Sequence, residues 1–141
     1  MRYHFKIHKE NQGFWAECLE LSGCVTQADT REELDFNMQE ALNLYLEEFE
    51  DDRFLAPQPN PLIRVDSHTV EVSVEPSIAL AVSIRYQRIK QGLTQREAAD
   101  QLGMKAIYSY QRLEKRCNPT LEMINKLVHL FPALSVDEVL S

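Results

Sequence analysis

The sequence predicts two small domains in series. The first is an α+β unit, a small antiparallel sheet plus one helix, over residues 1–75; the second is an all-α unit of five short helices over 76–141. Three observations lead there. Apolar residues alternate with polar ones at Tyr3, Phe5 and Ile7 and again at Val70, Val72 and Val74, the period of a half-buried strand. Beyond Pro76 the apolar spacing becomes three and four residues, punctuated by Gly92, Gly103 and Pro119, which is the rhythm of short helices. Charge reverses at the same point: residues 1–75 hold 6 Lys/Arg and 16 Asp/Glu, a net −10, whereas 76–141 hold 9 and 6, a net +3. Halves of opposite sign imply two domains with different partners, although charges that merely cover solvated faces would give a similar count.

Taken in order, Tyr3 to Ile7 is the first strand. Lys9-Glu10-Asn11-Gln12-Gly13 is polar and ends in glycine, a hairpin turn. Phe14 to Leu19 forms the second strand, Ser22-Gly23 breaks it, and Cys24 to Ala28 forms a third. Thr30 and Glu33 have capping-box spacing and open a helix; Leu34, Met38, Ala41, Leu42, Tyr45 and Phe49 make its apolar face, and it ends by about residue 50, before the acidic pair Asp51-Asp52. Pro57, Pro59 and Pro61 forbid a helix and predict an extended loop. Thr69 to Val74 is the fourth strand. In the second half, Ser77 is placed to cap a helix through Gln91, with Leu80, Ile84 and Ile89 inward and Gly92 at its end. Thr94 and Glu97 form another capping box for a helix to Leu102, Gly103 ends it, and a third helix spans Lys105 to Glu114. Thr120 caps a fourth carrying Leu121, Ile124, Leu127, Val128 and Phe131, and Ser135 with Glu138 opens the last.

Composition excludes several classes. At 44% apolar and 26% charged residues the chain reads as an ordinary globular protein. No apolar run reaches the roughly 18 residues of a membrane helix, and the alternating start lacks a signal-peptide core, so no membrane and a cytoplasmic location are expected. Cys18, Cys24 and Cys117 are odd in number and lack a CxxC pair, which argues against a disulfide framework. His4 and His8 share a strand face, but exposed edge histidines are the plainer reading than a metal pair. No metal or cofactor pattern is present, and no enzyme activity is expected. Cys24 has no histidine nearby in sequence to activate it and reads as a packed small residue.

The segment Leu93-Thr94-Gln95-Arg96-Glu97-Ala98-Ala99-Asp100-Gln101-Leu102-Gly103 is the most specific signal. Two short helices that cross closely need a small residue at the crossing, Ala99, and a residue tolerant of positive φ at the turn, Gly103. Leu93, Leu102, Tyr110 and Leu113 supply apolar anchors. With Tyr110-Gln111-Arg112-Leu113-Glu114 and Asn118-Pro119-Thr120-Leu121, the segment resembles the lambda-repressor-like (XRE/Cro-type) helix-turn-helix family. The interval from Gly103 to Tyr110 is one residue longer than that family's. The resemblance implies operator DNA as a partner, Thr94 among the DNA-binding residues, Gln95 at a phosphate, and Tyr108, Ser109, Gln111 and Arg112 facing the major groove. Gln111 could read adenine and Arg112 guanine by bidentate hydrogen bonds, although Arg112 could equally pair with an acidic neighbour. Lys105, Lys115 and Arg116 suit phosphates, which require only positive charge. A helical domain used only for dimerisation is the alternative.

Gly13 to Thr30 is similar to the HicB family through Leu21, Gly23, Cys24, Thr26, Gln27 and Thr30, with Glu40 and Ala41 on the following helix; Ala28 stands where Gly is common. This resemblance covers residues 1–75 and implies a partial RNase-H-like fold without nuclease chemistry. It further implies a HicA-type toxin as partner, a small basic ribonuclease that an acidic domain would complement. Trp15 and Glu17 are candidate toxin-binding residues, a core position being the other option for Trp15. The acids on the helix (Glu32, Glu33, Asp35, Glu40, Glu47, Glu48, Glu50) are spread around its faces, as for a solvated surface. Together the two resemblances imply a HicB-type antitoxin and autorepressor, acting as a homodimer or higher homo-oligomer on a two-fold DNA site. Other readings are a regulator whose front domain senses a small molecule, and a residual metal-dependent nuclease.

Overall fold

A computed structural model describes residues 1–48, 51 and 53–141. Phe49, expected on the apolar face of the first helix, and Glu50 and Asp52, expected among the acids near its end, lie outside the described residues. The elements are β1 (Arg2–Lys9), β2 (Phe14–Cys18), β3 (Val25–Ala28), α1 (Arg31–Glu47), β4 (Thr69–Ser73), α2 (Pro76–Lys90), α3 (Gln95–Gln101), α4 (Ile107–Leu113), α5 (Leu121–Leu130) and α6 (Val136–Leu140). The chain divides into two compact units, residues 1–46 with 57–74, and residues 47–56 with 75–141. Among the described residues no helix is long and apolar enough to cross a membrane.

In the first unit the four strands form one antiparallel sheet in the order β3-β2-β1-β4. Alternation sets the register: Phe5 lies opposite Cys18 and Val70, and Ile7 opposite Ala16. Tyr3, Phe5, Ile7, Ala16, Cys18 and Val72 are buried, as is the Leu34, Met38, Leu42 and Leu46 stripe of α1. Burying each large aliphatic side chain contributes about 1.5–3 kcal/mol. Thr30 caps α1, accepting from the Glu33 amide at 3.2 Å. Asn37 donates to the Gln27 carbonyl of β3 and Gln39 to the Ser73 carbonyl of β4, tethering the helix to both edge strands. Tyr45, expected in the stripe, is only half-buried; its hydroxyl donates to the Ser22 carbonyl, and Leu46 takes the buried position.

His4 departs from the expectation of an exposed edge histidine, being 4% exposed. The Glu20 carboxylate reaches over it: one oxygen accepts the His4 amide at 2.8 Å, and the other lies 2.8 Å from Nδ1 and accepts the Asn60 amide. The loop carrying Pro57, Pro59 and Pro61 is irregular as expected, and its Pro57 carbonyl accepts the Tyr3 hydroxyl at 2.8 Å. Most buried polar groups in folded proteins are partnered in this way.

The second unit contains α2 to α6. The start of α2 differs from expectation: Pro76 occupies the first turn, Glu75 stands at the cap, and the Ser77 hydroxyl donates to the Glu75 carboxylate rather than capping. Proline suits this position because its missing N–H would have had no helical partner. Two helices end in the same paired-bond motif. Leu93 N–H reaches the Arg88 carbonyl and Gly92 N–H the Ile89 carbonyl at the end of α2; Met104 N–H reaches Ala99 and Gly103 N–H reaches Asp100 at the end of α3. Gly103 has φ +74°, the left-handed geometry this ending demands. Thr120 and Ser135 cap α5 and α6, accepting from the amides of Met123 and Glu138. Ile78, Ile84, Ala98, Ala99, Leu102, Tyr110, Leu127, Phe131 and Val139 form the buried set. Leu121, expected on the inner face of α5, is instead 84% exposed. It is the residue next to the cap, before the helix turns its apolar face inward. Arg85, itself buried, donates to the carbonyls of Asp51 and Phe54 and so anchors the 47–56 segment within this unit.

Candidate nucleic-acid interface

The two helices α3 and α4 are joined by residues 102–106. Ala98 and Ala99 are fully buried, so α3 presents no bulk where the helices meet. Thr94 and Glu97 form a complete capping box: the Thr94 hydroxyl accepts the Glu97 amide at 3.0 Å, and the Glu97 carboxylate accepts the Thr94 amide at 3.1 Å. That backbone bond holds the Glu97 carboxyl below the usual carboxylate range. Thr94 is exposed, but its side-chain oxygen is thus committed to the cap.

The helix α4 starts at Ile107 rather than Lys105, with Ala106 at its cap. Lys105 therefore belongs to the turn, where it is exposed and its carbonyl faces Arg96. Tyr110 is the buried residue of α4. Its phenol is pushed well above the ordinary tyrosine range, first by burial and then by the Glu114 carboxylate beside it. Tyr108, Ser109 and Arg112 lie on the exposed side, with Tyr108 65% exposed and the Arg112 guanidinium 5.8 Å from its ring centre.

Gln95 and Gln111 are both half-buried, and they meet each other. Gln111 Nε2 donates to Gln95 Oε1 at 3.2 Å, and Gln95 Nε2 donates to Glu114 Oε1 at 3.2 Å. Glu114 is in turn bound by the Arg88 fork, Nε to Oε2 at 2.5 Å and the second amino group to Oε1 at 3.0 Å. The third Arg88 nitrogen donates to the Leu93 carbonyl. This chain of bonds runs from α2 through the start of α3 to the end of α4 and links the three helices. Its ionic centre, Arg88 with Glu114, escaped the sequence reading; a charged pair set 26 residues apart leaves no local signal.

Among the described residues, Lys105, Arg112 and Lys115 make no ion pair, and all three are exposed. Arg116 differs, for it is bound to Glu47 and Glu75. In the first unit, the Trp15 ring is half-buried and stacked on His8, with centroids 4.0 Å apart at 12°. Glu17 lies 3.0 Å from His8 Nε2, so Trp15, His8 and Glu17 share the sheet face opposite Phe5 and Ile7. Cys24 is buried and its thiol points to the Ala41 carbonyl, a packing role.

Residues 84–139 match the model of the family described as Helix-turn-helix. The comparison with curated proteins gives no match. The match begins within α2 and runs to the penultimate residue of α6, so it takes in α3, α4 and the network that joins them. Residues 84–139 of this chain are therefore a helix-turn-helix domain of the kind found in DNA-binding regulators.

Proposed function

We propose that this chain is the antitoxin of a HicAB-type toxin–antitoxin pair and represses its own operon. The observation that carries the reading is the presence, in one chain, of an acidic front segment with the HicB-like residues Leu21, Gly23, Cys24, Thr26, Gln27 and Thr30 and a helix-turn-helix domain behind it. In this reading residues 1–75 mask the basic face of a HicA-type ribonuclease. The net −10 of that segment speeds encounter with a cationic partner and competes with RNA for it. Trp15 and Glu17 are the candidate contacts, offering an aromatic surface and a carboxylate on one sheet face. The chain itself performs no catalysis.

Residues 76–141, as a homodimer, hold a two-fold operator. Tyr108, Ser109 and Arg112 face the bases from the exposed side of α4, and Lys105 and Lys115 take phosphates, their charges being unmatched by carboxylates among the described residues. Gln95 and Gln111 act through their mutual bond, setting the helix that carries those side chains.

The test is co-expression with the adjacent gene. A short basic product that arrests growth alone, is tolerated alongside this chain and co-purifies with it is the expected result. An adjacent product that is harmless, or that never binds residues 1–75 in the full chain, refutes the antitoxin reading and leaves a DNA-binding regulator of another kind.

A further inference from the structure

Arg116 follows α4 and Lys115, where the chain carries its densest positive charge, 8 basic against 3 acidic residues over 85–116. Each nitrogen of its guanidinium nevertheless meets a carboxylate. Nε lies 3.2 Å from Glu47 Oε1 and one amino group 2.9 Å from Glu47 Oε2, a two-pronged grip. The other amino group lies 3.0 Å from Glu75 Oε1, which also accepts the Ser77 hydroxyl. All three nitrogens thus bond to carboxylates, although the side chain is half exposed. Isolated exposed ion pairs contribute little, but a planar fork meeting one carboxylate with both prongs and a second carboxylate with the third nitrogen is the favourable exception. The same fork geometry fits a phosphate.

Resting on the DNA-binding reading above, we propose that Arg116 is a phosphate-binding residue held closed by Glu47 and Glu75, so that DNA must displace these carboxylates to recruit it. The two glutamates are internal competitors: Glu47 holds the two-pronged edge of the guanidinium that a DNA phosphate would take, and Glu75 holds the third nitrogen. They lower affinity for every duplex equally, because phosphates carry no sequence information, and they leave discrimination to the exposed side of α4. No other described arginine has all three guanidinium nitrogens bonded to carboxylates while remaining exposed: Arg2, Arg31 and Arg96 each meet one carboxylate, and Arg88 is buried.

The experiment uses the full chain, a fluorescein-labelled duplex covering the DNA upstream of its own coding sequence, and a scrambled duplex of equal length. Anisotropy titrations are run from low to moderate salt on the wild type, Glu47→Gln, Glu75→Gln, the double variant, and Arg116→Ala in the wild-type and double-variant backgrounds. The double variant should bind both duplexes about five- to tenfold more tightly, with a salt slope steeper by about one, the signature of one added phosphate contact. Arg116→Ala uncovers both carboxylates and should weaken wild-type binding to the two duplexes alike, and it should abolish the gain of the double variant. Unchanged affinity and slope in the double variant, with wild type binding duplex normally, overturns the proposal. So does a gain that survives Arg116→Ala, which would be a general effect of lost negative charge. A wild type that binds neither duplex sinks the DNA-binding reading itself and this inference with it. Circular dichroism and the melting of each variant establish that the amide replacements leave the fold in place.

Discussion

Replacing Glu114 by Gln is the sharpest single test of how the second unit holds its recognition helix. The pair Arg88–Glu114 has side chains 3% and 2% exposed. The neutral amide keeps the shape of the carboxylate but removes its charge, so one of the two fork bonds is lost and the other keeps only the charge of the guanidinium. The Gln95 amide also loses a charged acceptor. A hydrogen bond to a charged group contributes about 1.5–3 kcal/mol, and leaving a buried charge unpaired costs about 3–5 kcal/mol in general. The bond from Arg88 to the Leu93 carbonyl remains, which places the expected loss near the lower end, about 3 kcal/mol. For a unit of this size that corresponds to a fall in Tm of about 12–24 °C. The assay is thermal and urea unfolding of the full chain, followed by helix signal, together with Arg88→Met and the double variant to close a mutant cycle. The double variant should be far less destabilised than the sum of the singles, because it buries no lone charge. A loss below about 1 kcal/mol for Glu114→Gln, or strictly additive singles, would refute the assignment of this pair as the centre of the network.

Other expectations follow from the same geometry. Arg112→Ala should lower the preference for operator over scrambled DNA, whereas Lys115→Ala should weaken both alike and reduce the salt slope by about one; equal behaviour of both variants and wild type in such titrations contradicts their roles. Gly13→Ala should destabilise the first unit by about 1–3 kcal/mol, since Gly13 has φ +92° and an added Cβ would sit 2.6 Å from the Ala28 carbonyl oxygen; a neutral effect on unfolding would mean that the β1–β2 turn rearranges freely. Thr94→Ala should cost about 1 kcal/mol through loss of the α3 cap. The Glu97 half of that box has a lowered pKa, so its contribution is present above the ordinary glutamate pKa of about 4.3 and fades as pH falls through the folded value. A Thr94→Ala deficit that grows rather than shrinks in acid would contradict this coupling.

The sequence by itself determined most of the local architecture. Period-two alternation placed β1 and β4, capping residues placed the starts of α1, α3, α5 and α6, and Gly103 placed the turn of the helix-turn-helix, because each of these signals acts within a few residues of its cause. Such signals misjudged Ser77, where Pro76 and Glu75 decided the helix start, and Lys105, which precedes the helix it was expected to open. The partners of charged and polar side chains were decided only by the tertiary structure. Glu20 covers His4 across 16 residues, Arg88 meets Glu114 across 26, and Arg116 is held by Glu75 and Glu47 from 41 and 69 residues away. The composition shows positive charge around α4, but whether a given cation faces solvent or a carboxylate depends on which distant segment the fold brings beside it. Coulomb attraction acts on distance in space, and the order of residues along the chain does not specify that distance.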